Sequence, residues 1–129
     1  MEINLKTGLI GEREELVTNK NTAMAYGSGG VAVYATPAMI GLMENASLSA
    51  VDPVLSEGMA TVGTELNVKH LAATPVGMKV RARAELLEID GKRLVFKVEA
   101  FDEKAKIGEG THERYIINLE KFLAKAGIK

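Results

Sequence analysis

From residue 59 to residue 118 apolar and polar side chains alternate with the two-residue period of extended strands. Ala60, Val62, Thr64, Leu66 and Val68 share one parity, which His70 continues, and Thr61, Gly63, Glu65, Asn67 and Lys69 take the other. Val80, Ala82, Ala84 and Leu86 alternate with Lys79, Arg81, Arg83 and Glu85. The apolar parity then slips to Leu87 and Ile89, which predicts a bulge. Asp90-Gly91 is a hairpin signal. The return strand is expected over residues 93–101, a turn over 102–106, and the last strand over 107–118. Gly127 fits the C-terminal cap of a helix that begins near Leu119.

Upstream the period changes. Residues 31–57 read as a strand leading into one long helix. Pro37 suits the first helical position, where its missing N–H costs nothing, and Thr36 before it is placed as the N-cap. Ile40, Met43, Leu48, Ala50 and Val51 form the apolar stripe. Asp52-Pro53 ends or kinks the helix, because the residue before proline avoids the α region. The fifteen residues from Thr36 to Ala50 span ~22 Å. Residues 1–30 are mixed, with no element assigned, and end in Gly27-Ser28-Gly29-Gly30, read as a mobile entry segment. One long helix followed by an antiparallel meander is an α+β chain, and a curved antiparallel sheet wrapped around the central helix buries both apolar faces. Small residues at Ala60, Ala82 and Ala84 would let the helix sit close to the sheet. All 129 residues read as a single domain with a thin core, so pairing with a second copy is expected.

Composition narrows the functional classes. Hydrophobic residues at 47% and charged residues at 26% are enough to build an ordinary core and a soluble surface. A net charge of −1 argues against nonspecific nucleic-acid binding, which rests on phosphate neutralisation. Three Tyr, three Phe and no Trp leave no base-stacking platform. With no cysteine, thiolate metal sites, disulfides and thiol nucleophiles are excluded. Met1 to Lys6 lacks a leader's pattern, and no apolar run reaches the ~18 residues of a membrane span. The cytoplasm is the expected compartment, with no membrane partner.

Five residues then stand out. His70 closes an apolar strand face, either as a general base or as a partly buried imidazole with a satisfied hydrogen bond. Glu44 lies eight residues after Thr36, in the helical sector bounded by Ile40, Leu48 and Val51. A carboxylate there is costly unless paired, or else keeps its head in water. Thr36, besides capping, sits where the helix N-terminus favours a developing oxyanion. His112 reads as a surface or interface residue, and Arg114 as a solvated or ion-paired arginine whose fork suits a phosphate. Gly27 to Gly30 lacks the Gly-Lys-Ser/Thr and the glycine spacing of nucleotide-binding loops. Lys79, Arg81 and Arg83 form a basic row that Glu85 and Glu99 can balance.

Tyr34-Ala35-Thr36-Pro37-Ala38-Met39-Ile40, Met43-Glu44-Asn45-Ala46, Val62-Gly63-Thr64, Val68-Lys69-His70 and Thr74-Pro75-Val76-Gly77 occur in that order. The combination resembles the fluoroacetyl-CoA thioesterase-like branch of the hotdog-fold superfamily over residues 5 to 125. The resemblance implies a hotdog fold, in a homodimer with active sites at the subunit interface, and hydrolysis of an acyl-coenzyme A thioester. It places the family's catalytic residues on Thr36, Glu44 and His70, and its substrate-contacting residues on Gly63 and Arg114. It implies no metal, and no cofactor beyond the coenzyme A of the substrate. The chain departs from the specialised fluoroacetyl enzyme at Gly27 to Gly30, where that enzyme has bulky residues over the pocket. Whether Glu44 orients His70 or attacks directly, and whether Thr36 positions a carboxylate or holds the oxyanion, stays open at this level. Two rival readings share the fold: a non-catalytic acyl-CoA-binding module, and a hydratase acting on enoyl-CoA. The second uses an Asp–His pair on an overhanging loop that has no counterpart here.

Overall fold

The computed structural model describes residues 5–128. Met1 to Asn4, part of the stretch read above for a leader, lie outside the described residues. Five strands, β1 (Ile10–Leu16), β2 (Met59–His70), β3 (Lys79–Asp90), β4 (Arg93–Phe101) and β5 (Lys106–Asn118), form one curled sheet of order β1-β3-β4-β5-β2, antiparallel throughout. The short helix α1 (Ala23–Tyr26) precedes the long helix α2 (Thr36–Val51), and α3 (Leu119–Lys125) closes the chain. The α+β hotdog architecture expected from the sequence is the one observed. β1 was not legible: Glu12, Glu14 and Glu15 swamp its alternation, and Gly11 is its one buried position.

α2 lies in the concave face, chiefly across β1 and β3. Its buried residues are Ala38, Met39, Met43, Ala46, Ser47, Ala50 and Val51. Ile40 and Leu48, assigned above to the buried stripe, lie on its half-exposed flank. Met39 and Ala46, one step round the helix, take the inner line instead. The helix runs one residue further than expected, and Asp52–Val54 then tightens into a 3₁₀ turn at Pro53. Residues 31–35 are not a strand: their strand-like pairing is limited to two isolated bridges, Thr22 to Tyr34 and Val33 to Pro75.

The inner face of the sheet is small where the helix crosses it. Ala82 and Ala84 are fully buried on β3. Gly11 is the tightest point on β1, since a Cβ there would stand 2.1 Å from the Ala46 carbonyl oxygen and 2.9 Å from the Ala50 nitrogen. Ala60 does not share this role, and the reason is a bulge in β2. Register shifts between Gly63 and Glu65, so Thr64 is the extra residue. Below it Thr61 and Gly63 pair with Ile116 and Arg114; above it Leu66, Val68 and His70 pair with His112, Gly110 and Gly108. The strand's inward parity therefore switches halfway, and Ala60 and Val62 fall on the opposite face from Leu66 and Val68. The bulge expected after Leu86 is present, between Leu86 and Glu88, and the hairpin turns at Gly91 with φ +62°. The basic row of β3 is paired across the sheet: Arg81 Nη1 meets Glu12 Oε2 at 3.0 Å, and Arg83 lies within 4.0 Å of Glu12, Glu85 and Glu99.

A Cβ at Gly11 would also meet Ser49 Oγ at 2.4 Å, a side chain that can turn away, but the other two atoms it strikes are helix backbone, so the helix must lift. Gly11→Ala is expected to cost about 1–3 kcal/mol, the range for overpacking a filled core. The denaturant midpoint should fall with little change of slope. A midpoint equal to that of the wild type would rule out this closeness of approach.

Candidate active site

Thr36 does not cap α2. Ala35 is the N-cap, extended at φ −77° and ψ 140° with no side-chain bond, and its carbonyl takes the Met39 N–H at 3.0 Å. Thr36 is thus the first helical residue and Pro37 the second, and the threonine hydroxyl is free to turn elsewhere. Its Oγ1 lies 2.7 Å from His70 Nδ1. The segment before it is pinned: Tyr34 N–H donates to the Thr74 carbonyl at 2.8 Å and Ala35 N–H to the Asn21 carbonyl at 2.9 Å. The Tyr34 side chain is buried, with its hydroxyl bonded to the Glu15 carboxylate. Burial and that carboxylate together raise the Tyr34 pKa, so the hydroxyl stays a neutral donor.

His70 ends β2, and the chain is held beyond it by the Leu71 N–H on the Ile107 carbonyl at 2.6 Å. Its Nε2 is buried with no hydrogen-bond partner. Burial lowers the pKa of the ring from 6.5, with the Ala72 carbonyl acting the other way, so the neutral base is the form present near neutrality. Thr36 and His70 line a cleft of about 430 Å³, walled by Ser28, Gly29, Val31 and Ala73 among others. The glycine-rich segment is the folded rim of this cleft. Gly27 caps α1 at φ +69°, and Ser28 N–H returns to the Ala23 carbonyl at 2.9 Å.

Glu44, Gly63 and Arg114 meet in a second place. A Cβ on Gly63 would stand 2.7 Å from Glu44 Oε2, 3.1 Å from His112 Cε1 and 3.4 Å from Arg114 Nη1. A larger residue there would have to push the Glu44 carboxylate aside. Arg114 is neither solvated nor ion-paired: it is 4% exposed. It donates from Nε to Thr61 Oγ1 at 2.8 Å, from Nη2 to the Thr61 carbonyl at 2.9 Å, and from Nη1 to His112 Nε2 at 3.2 Å. Thr61 in turn donates to Asp52 Oδ1 at 2.6 Å. Burial lowers the Arg114 pKa, while Asp52 and Glu44 pull it back up. His112, read above as a surface or interface residue, is 1% exposed. Its parity with Arg114 was visible in the sequence; that this parity faces inward is set by the pairing of His112 with Phe96 and of Arg114 with Leu94, both buried on β4.

Within one chain these two groups stay apart. Eight residues of helix separate Thr36 from Glu44, a rise of about 12 Å. Within one chain the five residues named above fall into two groups: Thr36 with His70, and Glu44 with Gly63 and Arg114, beside His112. Among the described residues no three His, Asp or Glu side chains converge as metal ligands, and no helix is long and apolar enough to cross a membrane.

A family profile described as fluoroacetyl-CoA-specific thioesterase, FlK, matches residues 17–120. The fluoroacetyl-CoA thioesterase of Streptantibioticus cattleyicolor is 50% identical over 93 residues, 72% of this chain and 67% of that protein. The solved structure of the fluoroacetyl-CoA thioesterase FlK superimposes with a TM-score of 0.89 at 38% identity, covering 96% of each chain. A hypothetical protein of Thermus thermophilus described as a thioesterase superfamily member gives a TM-score of 0.89 at 31% identity, over 97% of this chain and 93% of that one. Profile, relative and fold agree along most of the chain, and the protein belongs to the fluoroacetyl-CoA-specific thioesterase family of hotdog enzymes.

Proposed function

We propose that this thioesterase hydrolyses a short-chain acyl-coenzyme A to the free acid and coenzyme A, at sites that two copies of the chain build together. The observation that carries the reading is the Thr36 Oγ1 to His70 Nδ1 contact of 2.7 Å at the edge of an open cleft. A hydroxyl in hydrogen-bond reach of a neutral imidazole is the arrangement of an activated nucleophile. Thr36 Oγ1 adds to the thioester carbonyl while its proton passes to Nδ1. Collapse of the adduct breaks the C–S bond, and the departing thiolate takes the proton from His70. Water then cleaves the acyl-threonine ester, giving up a proton to a base and restoring the hydroxyl. Of the first four N–H groups of α2, Pro37 has none and that of Met39 is taken, which leaves those of Thr36 and Ala38 for the oxyanion.

A second copy brings the other half. β2 is an edge strand with an unpaired side. Two such edges pairing antiparallel about a two-fold between Leu66 and Asn67 set His70 of one copy opposite Gly63 of the other, on the same face. Glu44 of the partner subunit then reaches the Thr36–His70 pair and serves as base for the deacylating water. Gly63 and Arg114 of the partner subunit border the acyl group, the glycine by leaving space and the guanidinium by donating to it. The coenzyme A of the substrate is the one cofactor this chemistry uses, and the compartment proposed is the cytoplasm.

His70→Ala and Thr36→Ala are each expected to lower kcat for acetyl-CoA and longer acyl-CoAs at least ~100-fold, with Thr36→Ser retaining far more. Glu44→Gln should accumulate an acyl group on Thr36, detectable by mass spectrometry of the quenched protein. A folded His70→Ala variant as fast as the wild type refutes the assignment, and a wild type that binds acyl-CoA without releasing thiol supports the binding module instead.

Mixing His70→Ala with Glu44→Gln subunits after reversible dissociation should restore about a quarter of wild-type activity, because half the dimers are mixed and each holds one intact site. Sites confined to one chain would give no recovery.

The pH dependence follows from the lowered His70 pKa. The working form is neutral, so the rate rises as pH increases through a value below 6.5 and is level by neutrality. A rate that still climbs steeply above neutrality would place the essential base elsewhere.

A further inference from the structure

His112 lies outside the pair that attacks the thioester, yet both of its ring nitrogens are committed. Nδ1 lies 2.8 Å from the Glu65 carbonyl oxygen, which can only accept, so Nδ1 carries the proton. Nε2 lies 3.2 Å from Arg114 Nη1, which can only donate, so Nε2 is the bare acceptor. One neutral tautomer satisfies both. The guanidinium it meets is buried, and its other bonds within the chain go to the hydroxyl and carbonyl of Thr61. The anchoring carbonyl belongs to Glu65, the residue that follows the β2 bulge.

We infer that His112 is a positioning residue: its neutral Nδ1–H imidazole, tethered to the Glu65 carbonyl, holds the Arg114 guanidinium against Gly63 for the substrate. The inference rests on Arg114 contacting substrate as proposed above. The surroundings of the ring fix its sign. Arg114 and Glu113 approach from β5, Glu44 from α2, the Glu65 carbonyl from β2, and the Phe96 ring of β4 stands 6.2 Å away. A proton on Nε2 would turn the acceptor into a donor 3.2 Å from another donor, with two cations in a buried site. The hydrogen bond would become a repulsion and the guanidinium would leave its seat. Burial lowers the His112 pKa from 6.5 and the Arg114 charge adds to this; the Glu65 carbonyl and the Glu44 and Glu113 carboxylates oppose it without reversing it, so the neutral form prevails at neutrality. The enzyme therefore has two protons to lose on its acid limb, one from His70 and one from His112.

The test compares His112→Leu, which has no acceptor, with His112→Gln, whose side-chain oxygen can accept from Nη1 and does not titrate. With acetyl-CoA and longer acyl-CoAs at neutral pH, His112→Leu should lose about 10- to 100-fold in kcat/KM, the value of a hydrogen bond to a charged group. His112→Gln should recover most of this, and its acid limb should carry one proton where the wild type carries two. A Leu variant as active as the wild type, or an acid limb identical in the Gln variant and the wild type, would overturn the inference. Two-bond ¹H–¹⁵N spectra of the wild-type protein read the tautomer without turnover and without either variant. The Nδ1–H form is expected at neutral pH, and the Nε2–H or imidazolium form would also overturn it. If no acyl-CoA is turned over, the functional reading fails and the spectra alone decide the tautomer.

Discussion

The seating of α2 on the sheet governs everything around it. Helix backbone comes so near β1 that Gly11 has no room for a methyl group, and Ala82 and Ala84 continue the low surface on β3. Met39 and Met43 then fill what lies towards β5, where a Cβ on Gly108 would strike Met39 Sδ at 2.5 Å. Unbranched methionines suit such a gap because they adapt without a fixed shape. The helix axis set this way places its first residue, Thr36, beside the last residue of β2, His70. A helix held an ångström or two higher would separate hydroxyl from imidazole.

The second constraint is one extra residue in an edge strand. Thr64 lets Thr61 and Gly63 face the helix at one end of β2 while Leu66, Val68 and His70 face it at the other. Without it a strict two-residue period would turn one of these sets outward. The extra residue is itself held, with its hydroxyl 2.6 Å from Glu113 Oε2, and Glu113 accepts from Arg93 Nε at 2.6 Å. The outer face of the sheet thus braces the irregularity on which the inner face depends.

The polar interior is arranged around charge. Arg114 brings a cation into a buried place, where its hydrogen bonds to Thr61 and to a neutral imidazole replace water without cancelling its charge. Asp52 and, from the helix, Glu44 supply the opposing negative charge. A cation kept available in this way suits an anionic or strongly polarised group. The His70 imidazole, beside Thr36, is held towards its neutral form by burial.

Much of this was present in the sequence. The alternation of β3, the hairpin at Gly91, the β4 and β5 strands and the terminal helix with its Gly127 cap follow from local periodicity and turn chemistry, which act over a few residues. The order of motifs around Thr36, Glu44 and His70 carried the family, because a combination in sequence order is specific where each piece is not. Three things were decided only in three dimensions. β1 is acidic along its exposed side and joins the sheet through backbone pairing with β3, which leaves no hydrophobic trace. The cap of α2 is Ala35 and not Thr36, whose hydroxyl instead lies 2.7 Å from His70 Nδ1, 34 residues away along the chain. The burial of Arg114 and His112 follows from their pairing with Leu94 and Phe96 of β4, and the inward turn of both Gly63 and His70 on β2 from the bulge between them; a long-range register carries no signature in the residues it places. Sequence fixes what each residue prefers among its neighbours along the chain; which of those preferences yields is set by what the fold brings across to meet it.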